Sequence, residues 1–134
     1  MIVIQTSDDM ASLLSGPVDP DLKTILLDRL ELLAEYLEQW PLEDLLTMIV
    51  LEPADSMETL EGELGISPFK DALGEIRFPD PRFEPSWEFC IARKGYFDFT
   101  FALCDSGLGI VLLVPDQDGL EPELLKLCRT YATP

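Results

Sequence analysis

Apolar and polar positions alternate in blocks along the chain, and each block predicts an element. Met1 to Gln5 is β-branched and apolar, which predicts a short strand. Ser7-Asp8-Asp9 is a capping sequence for a brief helix through Leu14, stopped by Gly16-Pro17. Asp19-Pro20 is a second helix start, with Asp as the cap, Pro at the first helical position and Asp21 in the first turn. From there Leu22, Leu26, Leu30, Leu33, Leu37 and Trp40 recur at steps of three and four, which predicts one long helix to about Trp40 with these residues buried. Pro41 ends it. Leu45 to Leu51 contains the uninterrupted run Met48-Ile49-Val50-Leu51 and predicts a buried strand, closed by Glu52-Pro53. Asp55-Ser56-Met57-Glu58 resembles a capping box in which Asp55 caps and Glu58 reaches back. The helix it opens runs to Leu64, with Gly65 beyond its end.

Ile66 to Pro85 breaks this regularity. Pro68, Pro79, Pro81 and Pro85 exclude a helix and disfavour a central strand. With Arg77, Phe78, Arg82 and Phe83 among them, the segment is expected to be an ordered, packed loop. Three strands follow, at Trp87–Ala92, Tyr96–Leu103 and Leu108–Val114. Arg93-Lys94-Gly95 and Asp105-Ser106-Gly107 supply the turns of an antiparallel meander over about 87–114. In the middle strand Phe97, Phe99, Phe101 and Leu103 share one face, and Tyr96, Asp98, Thr100 and Ala102 the other. The third strand is apolar on both faces, which places it centrally in the sheet. A last helix starts near Glu121-Pro122 and runs to about Tyr131, burying Leu124, Leu125, Leu127 and Cys128. The expected fold is therefore α+β, an antiparallel sheet of four or five strands covered by a long N-terminal helix and a C-terminal helix.

Composition narrows the function. A chain of 134 residues, 47% hydrophobic, is expected to form a single α+β domain over residues 1–134. It has 26 acidic residues, 9 basic residues and no histidine, for a formal charge of -17. Chemistry that needs an imidazole is excluded, and nucleic-acid binding, which needs Lys and Arg in excess, is not expected. No basic leader with an apolar run opens the chain, and no stretch is long and apolar enough to span a membrane. Cys90, Cys104 and Cys128 have apolar neighbours and form no C-x-x-C pair, so three reduced, buried thiols and a cytoplasmic setting are expected.

No motif carries a reaction. Asp116-Gln117-Asp118-Gly119 starts like a calcium loop, but Leu120 and Glu121 occupy the fifth and sixth positions, where a ligand and a glycine are required. Gly95, Gly107 and Gly109 do not lie between a strand and a helix with a following lysine, so they form no phosphate loop. Asp80, Glu84 and Glu88 lie near Phe83 and Trp87, an arrangement that glycoside hydrolases use, yet such neighbours arise by chance in so acidic a chain. No catalytic residue, cofactor or metal is expected.

Charge placement is the remaining signal. Residues 1–67 hold 15 acids and 2 bases, whereas residues 68–134 hold 11 acids and 7 bases. Asp28, Glu31, Glu35 and Glu38 form an acidic stripe on the exposed side of the long helix. The expectation is a non-enzymatic acidic interaction protein of the inhibitor, immunity or DNA-mimic type, recognising a basic partner protein and neither nucleic acid nor membrane. The alternative is a small enzyme or ligand-binding domain with a carboxylate-lined pocket beside the proline-rich loop, where Arg82, Glu84 and Trp87 lie.

Three blocks carry a resemblance: Met48 to Glu61, Phe83-Glu84-Pro85-Ser86-Trp87-Glu88, and Cys104 to Pro115. Together they resemble a set of small, acidic, uncharacterised proteobacterial proteins, sometimes found among mobile-element genes. The resemblance covers roughly residues 45–130 and is one of pattern. It implies a bacterial cytoplasmic accessory protein and transfers no catalytic residue.

Overall fold

The computed structural model describes residues 1–64, 90–102 and 109–131. The elements are β1 (Ile2–Ile4), α1 (Ser7–Ser15), α2 (Pro20–Leu32), α3 (Ala34–Leu37), α4 (Leu42–Leu45), β2 (Leu46–Val50), α5 (Met57–Leu64), β3 (Cys90–Arg93), β4 (Tyr96–Ala102), β5 (Gly109–Pro115) and α6 (Pro122–Tyr131). The proline-rich loop, the turn at residues 105–107, Cys104 and the side chains of Cys90 and Leu127 lie outside the described residues.

The strands form one five-stranded sheet in the order β1-β2-β5-β4-β3. β1 pairs antiparallel with β2, with Val3 opposite Ile49. β3 pairs antiparallel with β4, and β4 with β5. β2 and β5 run parallel, Met48 opposite Val111. The fold is thus α+β with a mixed sheet, not the antiparallel sheet expected. The parallel pair is the pair of uniformly apolar strands. Such strands are buried on both faces, and their side-chain pattern is the same whichever way the neighbour runs.

Side-chain alternation sorts the core into two clusters. On one face Ile49, Phe97, Phe99, Ile110, Leu112 and Val114 meet Leu60 of α5 and Leu124, Leu125 and Cys128 of α6. On the other, Ile4, Met48, Val50, Val111 and Leu113 meet Met10 of α1, Leu22, Ile25 and Leu26 of α2, and Leu42 of α4. Helices therefore cover both faces of the sheet.

Local chemistry explains the helix starts. Asp19 caps α2 by accepting from the Asp21 N–H, with Pro20 at the first position. Thr6, not the Ser7-Asp8-Asp9 run, caps α1: its hydroxyl accepts from the Asp9 N–H at 3.1 Å, and the Asp9 carboxylate accepts from the Thr6 N–H at 3.0 Å. These backbone donors, Gln5 N–H first and Thr6 N–H next, hold the Asp9 carboxyl below the usual range. Before α5 the cap moves one residue on from the expected Asp55. Ser56 Oγ accepts from the Thr59 N–H at 3.2 Å, and Thr59 Oγ1 accepts from the Ser56 N–H at 3.4 Å. Asp55 instead accepts from the Glu52 N–H at 2.8 Å and pairs with the Met1 α-amine at 2.9 Å.

The long helix expected to reach Trp40 is interrupted. Leu33 leaves helical geometry at φ -94°, ψ 1°, and only the four-residue α3 follows. Hydrogen bonds from Leu33 N to Arg29 O and from Leu37 N to Leu33 O still cross the break, at 3.1 and 2.9 Å. Packing outweighs propensity there, because Leu33 is buried and Leu37 lies against the same cluster.

Candidate interaction surface

Two neighbouring stretches of the α2–α3 segment treat their charges in opposite ways. In the first, charges are paired. Asp98 lies on β4, on the face opposite Phe97 and Phe99, and points at α2. Arg29 of α2 donates to Asp98 Oδ2 at 2.7 Å, and the two side chains are 8% and 2% exposed. Arg93, at the end of β3, reaches the same carboxylate oxygen at 3.8 Å and donates to Asp28 Oδ2 at 2.7 Å. Asp28, Arg93, Asp98 and Arg29 form a chain of alternating sign that fastens α2 to the far edge of the sheet. The N-terminal end of α2 is tied to the same strand, since the Tyr96 hydroxyl donates to Asp19 at 3.0 Å. Burial first, and then this bond to a carboxylate, push the Tyr96 phenol up to about 12.

In the second stretch, charges are unpaired. Glu31, Glu35 and Glu38 are exposed and make no ion pair among the described residues. Between Arg29 and Lys70 the sequence has ten acids and no base. Beside these acids lie three large apolar side chains in solvent: Leu32 is 69% exposed, Tyr36 42% and Trp40 45%. They follow one another at steps of four in sequence, Leu32 at the end of α2, Tyr36 in α3 and Trp40 just beyond it. Tyr36 and Trp40 stand with ring centroids 6.5 Å apart, tilted by 31°.

The expected site residues divide accordingly. Glu31, Glu35 and Glu38 lie together on this exposed segment. Asp28 does not belong with them, because it is held by Arg93. Arg82, Glu84 and Trp87 lie outside the described residues. Trp40, expected in the core, is at the surface instead, because the buried row ends with Leu33 and Leu37. Leu32 and Tyr36 were not expected to matter. Leu32, Tyr36 and Trp40 recur at steps of four one position away from Glu31 and Glu35, but the sequence equally offers Leu33, Leu37 and Trp40 as one row, so spacing does not single them out.

Other chemistry is sparse. Among the described residues no three of Cys, Asp and Glu are grouped to hold a metal ion. A shallow, open depression of about 510 Å³ lies beside α6 and includes Asp118, Lys126 and Arg129. Arg129 is engaged there, donating to Asp116 Oδ1 at 2.6 Å. No helix among the described residues is long and apolar enough to cross a membrane. Comparison with protein-family models, curated proteins and solved structures finds no match for this chain.

Proposed function

We infer that this chain is a non-enzymatic, acidic interaction protein that recognises a basic partner protein. One observation supports this reading above the others: three exposed carboxylates without an ion pair among the described residues, Glu31, Glu35 and Glu38, share one stretch with three solvent-exposed large apolar side chains. Charge alone serves solubility. Exposed aromatics beside it serve contact, because Trp and Tyr are the residues that anchor interfaces. The interrupted helix also favours a protein partner over simple imitation of a phosphate row, since the acids do not lie on one continuous rod. An accessory role in a bacterial cytoplasm, which the resemblance implies, suits a protein that acts by binding another.

The test is retention of cellular proteins on the immobilised chain, wild type against the Glu31→Gln/Glu35→Gln/Glu38→Gln variant, eluted with rising salt. A basic protein that is retained by the wild type, released by salt and lost by the variant is the expected result. Equal retention by both would reduce the acids to a solubilising surface. Absence of any shift of duplex or single-stranded DNA at low salt is expected alongside.

A further inference from the structure

We propose that the Leu32–Tyr36–Trp40 row is the seat for a basic amphipathic helix, with the row taking the helix's apolar residues and Glu31, Glu35 and Glu38 taking its Lys and Arg side chains. This rests on the reading of the chain as a binder of basic proteins and specifies what is bound. Four observations lead to it.

The first is placement. Leu32 closes α2, Tyr36 lies in α3 and Trp40 follows α3, so the row runs past the break at Leu33 as three exposed apolar side chains. Tyr36 and Trp40, with ring centroids 6.5 Å apart, are adjoining anchors for apolar residues that recur at steps of three and four on a facing helix. The second is the state of the backbone. Leu33, Leu37 and Trp40 N–H groups are all bonded within the segment, to Arg29, Leu33 and Tyr36 carbonyls. The segment offers no free ladder to an incoming strand, so an occupant must be recognised through side chains. The third is anchor chemistry. Trp40 and Tyr36 present large, stiff surfaces, and their ring faces also attract Lys and Arg. The fourth is charge complementarity. A second copy of this chain would bring the same acids against themselves, at a formal charge of -17 per chain. An anionic lipid surface would be repelled for the same reason. A cationic helix gains from the field at every approach.

The roles of the two rows then differ. The acids are solvated and sit at the rim, so they speed encounter and give way to salt. The apolar row is covered on binding, so it sets how long the complex lasts.

The experiment uses the whole chain and two synthetic peptides of equal positive charge. One is an 18-residue helix with Leu at steps of three and four and Lys elsewhere; the other replaces every Leu by Gly. Affinity is read by fluorescence anisotropy of labelled peptide at about 0.05 M and about 0.5 M sodium chloride, where charges are screened beyond about 14 Å and about 4 Å. The Leu/Lys helix is expected to bind at least about 10-fold more tightly than the Gly/Lys peptide. Trp40→Ala is expected to remove about 10-fold of that affinity even at high salt. The triple Glu→Gln variant is expected to lose about 5-fold at low salt and nothing at high salt. Circular dichroism of each variant confirms that the fold is kept. If both peptides bind equally and Trp40→Ala changes neither, the apolar seat is wrong while recognition of a basic partner stands. If neither peptide binds, both fail.

Discussion

The two ends of the α2–α3 segment have similar composition and opposite physics. Around residues 28–29 each charge has a partner on the sheet: Asp28 meets Arg93, and Arg29 meets Asp98. A few residues on, Glu31, Glu35 and Glu38 have none among the described residues, and Leu32, Tyr36 and Trp40 in the same stretch face water. A buried charge is tolerated only with a counter-charge, so the first group holds the helix to a defined place. An exposed, uncompensated charge adds nothing to that placement and mildly opposes folding through repulsion. The first group is therefore read as architecture and the second as surface available to a partner.

The largest effect is expected at Asp98. Asp98→Ala removes the carboxylate 2.7 Å from the buried Arg29 guanidinium, and breaking a buried pair from one side costs about 3–5 kcal/mol. For a domain of this size that lowers the melting temperature by roughly 10–20 °C. The double variant Arg29→Met/Asp98→Leu removes both charges and is expected to recover most of the loss. Thermal unfolding of both decides the matter. If Asp98→Ala melts within about 1 kcal/mol of wild type, the pair is not structural and the contrast collapses.

How much of this contrast was visible in the sequence depends on how local each part is. Asp19-Pro20 as a helix start needs only neighbouring residues, and it is found as read. Lys94-Gly95 is local too: both take positive φ, 49° and 81°, as a two-residue hairpin turn with this twist requires. The ion pair is not local. Arg29 and Asp98 are 69 positions apart, and nothing in either neighbourhood names the other. An aspartate between Phe97 and Phe99 signals only that its face of the strand meets something other than oil. The parallel pairing of β2 with β5 fails for the same reason, since strand direction is a property of the assembled sheet. In the surface, the acids at 31, 35 and 38 were legible from their spacing. The exposed row was not, because steps of three and four continue through Leu33 and Leu37 to Trp40. A periodic pattern does not reveal that helical geometry breaks at Leu33.

A smaller effect is expected at high pH, on the architectural side. Tyr96 has its folded-state phenol raised to about 12 from 10.0. Its contribution is complete below pH 10, where the phenol is protonated in both states. It is lost as pH rises from 10 through about 12, because the unfolded chain releases the proton first. Ultraviolet titration of the three tyrosines is expected to show one late component, absent in Tyr96→Phe. The variant should also lose less stability than wild type over the same range. Titration of Tyr96 near pH 10 would contradict the Asp19 contact.

Asp28 tests the boundary between the two ends. Its carboxylate is paired, yet 45% exposed, so the bond to Arg93 works against solvent. Asp28→Asn is expected to cost about 0.2–1 kcal/mol, well below Asp98→Ala, and to cost less in high salt. A loss as large as that of Asp98→Ala would make the whole four-charge chain one cooperative unit.

The smallest effect on stability belongs to Glu31, Glu35 and Glu38, and its sign is the informative part. Glu31 in α2 and Glu35 in α3 are four positions apart across the break at Leu33, and like charges four apart on helical backbone repel by at most about 0.2–0.5 kcal/mol. Replacing Glu31, Glu35 and Glu38 with Gln removes this repulsion and keeps the side-chain size. The triple variant is therefore expected to melt at or slightly above the wild-type temperature at low salt. Salt should erase the difference, since about 0.5 M sodium chloride screens charges beyond about 4 Å. Wild type itself should gain stability over the same salt range. Calorimetry of both proteins at two salt concentrations measures this directly. A triple variant that melts lower by more than about 1 kcal/mol would mean that these glutamates are engaged in the fold. They would then join Asp28 and Asp98 on the architectural side, and the segment would have no face left over for a partner.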